Sequence, residues 1–253
     1  MNKLTNEVRP DIHKTFMPSA DNPIVLGDVP QWSYSRLKNF EECPYKVFID
    51  AVKKIKQPSG PAAERGTEIH DAGEQFVKGD TDLLRDEYSH FDQDMRLARD
   101  MYSEGKAEVE GEWGFTTDWK PTGWMDKDTW ARIKLDLLMR PTETSARVVD
   151  YKTGKKIGNE LSHKQQGNLY AVGTFMRYPE IEYIEVEFWY LDQNDIMRSS
   201  FTRESALKFL PVWNRRALAL TTATTWKPTP SPKACRFCSY GKGDFPECRS
   251  RVV

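Results

Sequence analysis

A short apolar segment that ends in alternating charged residues constrains the fold of this chain more than any other feature. The sequence of residues 146–152, ARVVDYK, predicts a buried strand with Asp150 and Lys152 near its end. Because side chains alternate across a strand, these two residues lie on the same face. A carboxylate beside a lysine can hold a divalent cation and orient or deprotonate a water, as in metal-assisted phosphodiester hydrolysis. The alternative is a surface Asp–Lys pair at the end of a strand.

The rest of the chain predicts helices followed by strands, which indicates an α/β core with a helical cap. Ser33 is placed to cap the first helix, which Cys43-Pro44 interrupts, and Gly79 is placed to end the second. We expect the acidic third helix to be exposed and the last one to break at Pro211. The predicted helices cover residues 33–52, 62–77, 82–104, 162–177 and 203–222, and the predicted strands cover 107–117, 129–140, 146–152, 181–192 and 196–202.

The sequence divides into an arm and one domain. Residues 1–31 are polar and punctuated by prolines, which is typical of a flexible arm. Residues 32–253 are interpreted as a single domain, with the cap at about 33–104, the core at about 105–222 and a cysteine cluster at 226–250 that Cys43 joins. Hydrophobic residues make up 38% of the chain and aromatic residues 12%, which excludes a disordered protein and suffices for a buried core.

Two further residues can complete a cation site with Asp150. Asp136 lies in the apolar segment IKLDLL, which we expect to pair antiparallel with the strand of Asp150. Burying a carboxylate is costly unless it has a cation or a partner, so Asp136 either binds a metal or pairs with a nearby basic side chain. His70, within a predicted helix, is either structural or exposed, or its neutral imidazole joins a metal site of two carboxylates.

Candidate substrate contacts come from one helix face and from three tryptophans. Gln166 and Tyr170 lie one helical turn apart and therefore share a face. They are either an ordinary helix face or a pair that faces the substrate. Trp119, Trp124 and Trp130 either stack on unpaired bases or belong to the core.

Four cysteines form the second group of candidate ligands. Cys235 and Cys238 make a C-x-x-C pair, Cys248 follows after a loop, and Cys43 stands alone near the other end of the chain. In a reducing cytosol this pattern indicates a metal or cluster site before it indicates disulfides. The alternatives are unrelated buried thiols, or a disulfide in an oxidising compartment.

Charge and hydropathy narrow the classes of function. The formal net charge is −1, from 37 Lys and Arg against 38 Asp and Glu, so any contact with nucleic acid must come from a local patch. No apolar run approaches the roughly 18 residues of a membrane helix, and the first thirty residues lack the apolar region of a secretory signal. The pattern GxxxxGK[ST] is absent, so we expect no built-in ATP-driven motor. These features predict a cytoplasmic protein with no membrane partner.

Six segments, taken in order, resemble the RecB-type branch of the PD-(D/E)XK nuclease superfamily. They are SYSRLKNFEECPYKVF, RGTEIH, IKLDLL, VVDYKTGK, Q-x-x-x-Y and the C-terminal C-x-x-C…C. The resemblance is strongest to the members with an iron–sulfur staple, such as the AddB nuclease domain and the CRISPR-adaptation exonucleases, and extends to phage and viral RecB-like exonucleases. It spans about residues 33–248. It implies a restriction-endonuclease-like α/β fold: a mixed-sheet core, an N-terminal helical cap and a C-terminal metal-cluster staple.

The resemblance also assigns roles to the residues of the cation site. It implies that His70, Asp136 and Asp150 bind Mg²⁺ or Mn²⁺ together with the main-chain carbonyl of Tyr151. Lys152 would position or activate the attacking water and stabilise charge that develops on the phosphate.

The remaining motifs imply a substrate contact and a staple. Gln166 and Tyr170 match the helix on which the family contacts DNA or supports the site. The members with a staple hold a [4Fe–4S] cluster with four thiolates, and a zinc ion held by the same four is the alternative. The matching thiolates here are those of Cys43, Cys235, Cys238 and Cys248.

We therefore predict a metal-dependent DNA exonuclease that acts in phage, viral or prokaryotic DNA recombination, repair or degradation. DNA is its expected partner, and a helicase, a recombinase or a single-strand-binding protein would be a separate polypeptide. If the protein is viral, the expected location is the host cytoplasm. The alternatives are a structure-specific endonuclease acting on flaps or junctions, a non-catalytic DNA-binding or assembly module that retains the fold, and a redox sensor whose function is the cysteine site.

Overall fold

A mixed seven-stranded sheet forms the centre of the protein in a computed structural model that describes residues 24–57, 59–240 and 248–252. Its strand order is β3-β2-β4-β5-β6-β7, and the short strand β1 pairs with β4. The predicted α/β fold with a mixed sheet is confirmed. Most of the predicted arm, residues 1–23, lies outside the described part. The strands are β1 (Trp32–Ser33), β2 (Ala107–Phe115), β3 (Pro121–Thr122), β4 (Ala131–Thr142), β5 (Ser145–Lys152), β6 (Tyr183–Tyr190) and β7 (Asp195–Thr202).

Strand β5 occupies the middle of the sheet. It pairs antiparallel with β4, with Leu137 opposite Val149, so the predicted pairing of the Asp136 and Asp150 strands is correct. Its other neighbour is β6, which runs parallel to it. Parallel neighbours require a crossover, and the long helix between β5 and β6 makes it. Strands β6 and β7 pair as the predicted hairpin.

Helices cover both faces of the sheet, and most begin and end where the sequence predicts. Ser33 caps the first helix through its hydroxyl, and the helical segment is interrupted at Cys43. Gly79 ends the third helix in a left-handed conformation with φ of 83°. The helices are α1 (Tyr34–Glu42), α2 (Pro44–Val47), α3 (Pro61–Lys78), α4 (Asp92–Ser103), α5 (Glu160–Arg177), α6 (Arg203–Leu207), α7 (Leu210–Thr221) and α8 (Pro232–Arg236), with a π-turn at Phe48–Val52 and 3₁₀ turns at Asp86–Phe91 and Leu191–Gln193.

Two helical predictions need correction. The segment predicted as one exposed helix over 82–104 is a 3₁₀ turn followed by α4, and α4 buries Met95, Ala98 and Met101 against the sheet. Its acidic residues hid this apolar stripe in the sequence. The predicted break at Pro211 falls instead just before α7, with Pro211 in the first turn, where a missing N–H costs no helical hydrogen bond.

The core has two parts, one on each face of the sheet. The cluster against α3 and α4 includes Phe76 and Tyr88, whereas the cluster against α1, α5 and α7 includes Trp119 and Trp130. Both tryptophans are 2% exposed, so they belong to the core and are not available to stack on bases. Within the described residues, no helix is long and apolar enough to cross a bilayer.

Both oxygens of a buried carboxylate, that of Glu187 on β6, accept hydrogen bonds. Its oxygens accept hydrogen bonds from Arg147 at 2.7 Å, Arg198 at 2.6 Å and the indole of Trp189 at 2.6 Å. Burial opposes ionisation, but these three donors outweigh it and lower the pKa of Glu187 to about 2. The network therefore holds a full negative charge in a side chain with no exposed surface.

Candidate active site

Strand β5 delivers Asp150 and Lys152 to the same side of the sheet, as the period of a strand requires. The ammonium of Lys152 lies 2.5 Å from Oδ2 of Asp150 and 5.4 Å from the ring centroid of Phe188. Asp150 is 3% exposed, whereas the Lys152 side chain is 22% exposed. A buried carboxylate is thus held against a lysine that reaches the surface.

Helix α5 fixes the other oxygen of Asp150. The hydroxyl of Tyr170 donates to Oδ1 of Asp150 at 2.5 Å, and the amide of Gln166 donates to the same oxygen at 3.1 Å. Gln166 also donates to the Tyr170 hydroxyl at 2.6 Å and accepts from Lys152 at 3.3 Å. The predicted helix-face pair therefore supports the two charged residues of β5.

Helix α3 brings His70 to the same place from the cap. Its Nε2 lies 3.1 Å from the carbonyl oxygen of Tyr151, and its Nδ1 lies 3.4 Å from Oδ1 of Asp136. The second oxygen of Asp136 accepts the main-chain N–H of Tyr151 at 2.6 Å. The imidazole, the Asp136 carboxylate and the Tyr151 carbonyl are therefore immediate neighbours, and all seven residues predicted for the site meet in one region.

The surroundings of His70 and Asp150 raise the pKa values of both groups. Burial opposes the charged imidazole of His70, but the hydrogen bond to Asp136 and the charges of Asp136, Asp150 and Glu110 raise its pKa to about 9. Burial is also the main reason why the pKa of Asp150 is raised, followed by repulsion from Asp136, while Lys152 acts against the shift. Within the protein, the carboxylates of Asp136 and Asp150 therefore face the positive charges of His70 and Lys152.

Glu110 on β2 is a site residue that the sequence interpretation missed. One ligand atom from each of His70, Glu110 and Asp136 lies within 4.8 Å of the others. Val109 and Gly111 of β2 each pair with a residue of β4. Glu110, which lies between them, has φ of 51°, in the left-handed region that glycine favours. Three glutamates spaced by two in the segment AEVEGEWGF are the only trace of this role in the sequence.

These donors fit a divalent cation. Mg²⁺ and Mn²⁺ prefer carboxylate and carbonyl oxygens, and Mn²⁺ also accepts an imidazole. The acidic cluster opens into a cavity of about 330 Å³ that His70, Glu110 and Asp136 line. The ligand atoms that lie together are those of His70, Glu110 and Asp136, with the Tyr151 carbonyl beside His70. Asp150 is not part of this group, and its oxygens contact Lys152, Tyr170 and Gln166.

The four cysteines meet in a second region. They line one cavity between the α1–α2 junction and α8, together with Tyr240. Cys235 is 8% exposed, and burial raises the pKa of Cys238. The structure thus brings together residues from the two ends of the domain that the sequence proposed as a joint site.

Comparison with known proteins identifies the family. A family model described as the PD-(D/E)XK nuclease superfamily matches residues 31–242. The chain belongs to this superfamily. The superfamily hydrolyses phosphodiester bonds with divalent metals, which agrees with the acidic cluster around Asp136. No curated protein sequence matches the chain.

Two solved proteins are similar in fold to this superfamily member. SSO0001 shares 15% identity with a TM-score of 0.47, over 90% of this chain and 91% of its own. The alkaline exonuclease LHK-Exo from Laribacter hongkongensis shares 12% identity with a TM-score of 0.36, over 76% of this chain and 87% of its own, and its complex with dAMP gives the same values. Both TM-scores are below 0.5, so neither likeness carries a conclusion about activity.

Proposed function

We propose that the protein is a metal-dependent DNA exonuclease that hydrolyses phosphodiester bonds by attack of water. One observation carries the proposal: Asp150 and Lys152 are held as a pair next to Asp136 and His70, in a chain of the PD-(D/E)XK superfamily. A binding module would need none of these four groups together.

Each side chain has a task in this proposal. His70, Asp136 and Asp150 would hold a divalent cation, which when bound would supply Lewis acidity for the phosphate and lower the pKa of a water. Lys152 orients the attacking water and neutralises negative charge that develops on the phosphate oxygens. Gln166 and Tyr170 keep Asp150 in the orientation that its partners need.

The exonuclease assignment follows the resemblance to RecB-like exonucleases, and a flap or junction endonuclease is the second candidate within the same chemistry. The two differ in their need for a free DNA end. With no motor motif in its sequence, the protein would receive single strands or ends from a separate helicase, recombinase or single-strand-binding protein.

The test compares an end-labelled linear DNA with a covalently closed circle, each incubated with anaerobically purified protein and Mg²⁺ or Mn²⁺. We expect loss of the linear DNA alone, and no loss in the presence of a chelator. Asp150→Asn, which keeps the shape of the side chain, should abolish cleavage. Asp80→Asn, the same change at an exposed position, should have no effect.

The outcomes separate the candidates. Cleavage of the circle would replace the exonuclease by an endonuclease. Survival of both DNAs, or cleavage that persists in Asp150→Asn, would refute the proposed chemistry.

We also propose that the four cysteines hold a [4Fe–4S] cluster that ties the two ends of the domain together. Four thiolates are a suitable ligand set for this cluster. The four cysteines line one cavity, and a zinc ion held by the same four thiolates is the alternative.

A further inference from the structure

A groove beside the candidate active site has the chemistry of a nucleic-acid site. Its volume is about 370 Å³, within the range of sites that hold small molecules. Gln166 and Tyr170 are among its lining residues, and both donate hydrogen bonds to Asp150. The groove therefore shares two residues with the place where phosphodiester hydrolysis is proposed.

The charge of the groove is positive. Arg36, Arg132 and Lys134 line it, and none of the lining residues that the structure describes is acidic. In a chain with a net charge of −1, three cations in one groove form a local patch. Lys134 also pairs with Glu110 at 2.6 Å, which leaves the two arginines as the main source of positive charge.

Neither arginine forms a salt bridge with a carboxylate among the described residues. Arg36 donates to the carbonyl of Gln31 at 2.9 Å, and Arg132 makes a long contact of 3.6 Å to the sulfur of Met125. The Nε of Arg132 is buried with no hydrogen-bond partner. Guanidinium groups left without a carboxylate are suited to bind phosphate, which they contact through two N–H groups at once.

Trp124 is the aromatic element of the groove. Unlike Trp119 and Trp130, it is only half-buried, and the guanidinium of Arg132 lies 5.1 Å from its ring centroid. Arg132 occupies one side of the indole, and the exposed part of the ring is available to a base. Stacking on an aromatic side chain requires an unpaired base, because a base within a duplex is already stacked on both faces.

The direction of β4 relates the groove to the cation site. Every second residue of the strand points to the same face, and this face contains Arg132, Lys134 and Asp136. The row of cations therefore ends at the acidic cluster. Four residues of a strand span about 13 Å. A strand of DNA along this row would therefore pass from Trp124 and Arg132 to Asp136 within a few nucleotides.

We propose that this groove binds the unpaired end of a DNA strand, with a base stacked on Trp124 and phosphates held by Arg36 and Arg132. The proposal rests on the proposed nuclease function and adds its substrate class: single-stranded ends. It also separates Trp124 from the other tryptophans of the segment as a substrate contact.

The test measures binding without cleavage. The full chain carrying Asp150→Asn is titrated against a fluorescent twelve-nucleotide oligo-dT and against a blunt duplex of the same length, with chelator present. Trp124→Ala should weaken oligo-dT binding roughly tenfold and leave duplex binding unchanged, and Trp124→Phe should retain most of the affinity. Arg132→Gln should weaken binding and reduce the slope of log affinity against log salt by about 0.7.

Arg140→Gln is the matched control. Arg140 lies on the same strand and also stacks on an aromatic ring, that of Tyr178 at 5.2 Å, but it does not line the groove. Its loss removes the same charge and should change neither affinity nor slope. Melting temperatures of all variants identify any that fail to fold, and Arg132→Gln and Trp124→Phe then decide the outcome.

Several results would refute the proposal that the groove binds the unpaired end of a DNA strand. These are the absence of oligo-dT binding by the parent protein, equal binding by Trp124→Ala, or an equal loss for duplex and single strand. Cleavage by the chain with Asp150 intact is scored separately. If that chain is inactive while binding still depends on Trp124, the proposed exonuclease activity is refuted and the proposed binding of single strands by the groove is supported.

Discussion

The hydroxyl of Tyr170 on α5 donates a hydrogen bond of 2.5 Å to Oδ1 of Asp150 on β5, while Lys152 contacts the other oxygen. Tyr170 is 4% exposed, so no bulk water can replace its hydroxyl. The carboxylate that we propose for the catalytic centre is therefore oriented by a helix that crosses between two parallel strands.

Tyr170→Phe should lower kcat roughly tenfold, because one hydrogen bond to a charged group is worth about 1.5 to 3 kcal/mol and only part of it affects the transition state. Initial rates on linear DNA over a range of Mg²⁺ concentrations measure the effect. Tyr178→Phe makes the same change at a hydroxyl that donates to Glu108 at 3.1 Å, outside the site, and should leave the rate unchanged. Equal rates for both variants would remove Tyr170 from the positioning of Asp150.

Lys152→Met should lower kcat by about 10²-fold or more while Mn²⁺ still binds. The side chain keeps its length and loses the charge that would stabilise the phosphate oxygens, a contribution of the size seen for a single oxyanion donor. Single-turnover rates and calorimetric titration with Mn²⁺ measure the two effects separately. Lys155→Met, at an exposed neighbour, serves as control. Unchanged turnover would exclude a chemical role for Lys152.

Glu187 should make the fold sensitive to acid. Its folded pKa of about 2 is below the ordinary value of 4.5, so its contribution to stability is complete above about pH 4.5 and is lost as the pH falls towards 2. Glu187→Gln should cost about 3 kcal/mol at pH 7, because it leaves Arg147 without its buried partner. Urea unfolding at pH 7, 4.5 and 3 tests both statements.

The matched control for Glu187 is Glu204→Gln, which removes an exposed pair with Lys208. This change should cost less than about 1 kcal/mol and leave the acid dependence as it is in the parent. If Glu187→Gln retains the full acid dependence of the parent between pH 4.5 and 2, the buried network does not cause it.

Cys238→Ala should remove the metal group and lower the melting temperature, because three thiolates no longer complete the site. Elemental analysis of anaerobically purified protein gives the identity of the metal, and thermal melting gives the stability. Ser239→Ala, at the adjacent position, should retain both. Iron with sulfide would support the cluster, zinc would replace it, and a stable variant with full metal content would refute the tie between the two ends.

The sequence predicted the parts of the site that depend on local pattern. Asp136, Asp150 and Lys152 lie on strands that their short apolar segments predict, and Gln166 and Tyr170 lie one turn apart on a helix that the sequence predicts over 162–177. The position of Glu110 at the site was not predicted, because it depends on a left-handed main-chain conformation that the spacing of side chains does not encode.

Burial was the harder property to predict. Trp119, Trp124 and Trp130 are spaced closely in one polar segment, yet two are core residues and one is half-buried. The difference comes from contacts far along the chain, such as the hydrogen bond from the indole of Trp119 to Asn214. Composition within a short window contains no information about such partners.

Most of the proposed catalytic residues lie close together along the chain, in a segment that we call the catalytic frame, whereas His70 lies far from them. Residues 136 to 170 contain both carboxylates, the lysine and their helical supports, and closing short loops costs little conformational entropy. His70 comes from a helix that must dock across a longer stretch of chain. We therefore expect the frame to gain amide protection early in refolding and α3 to dock later, so that the protein acquires its carboxylates before its imidazole and becomes competent to bind a cation only at the end of folding.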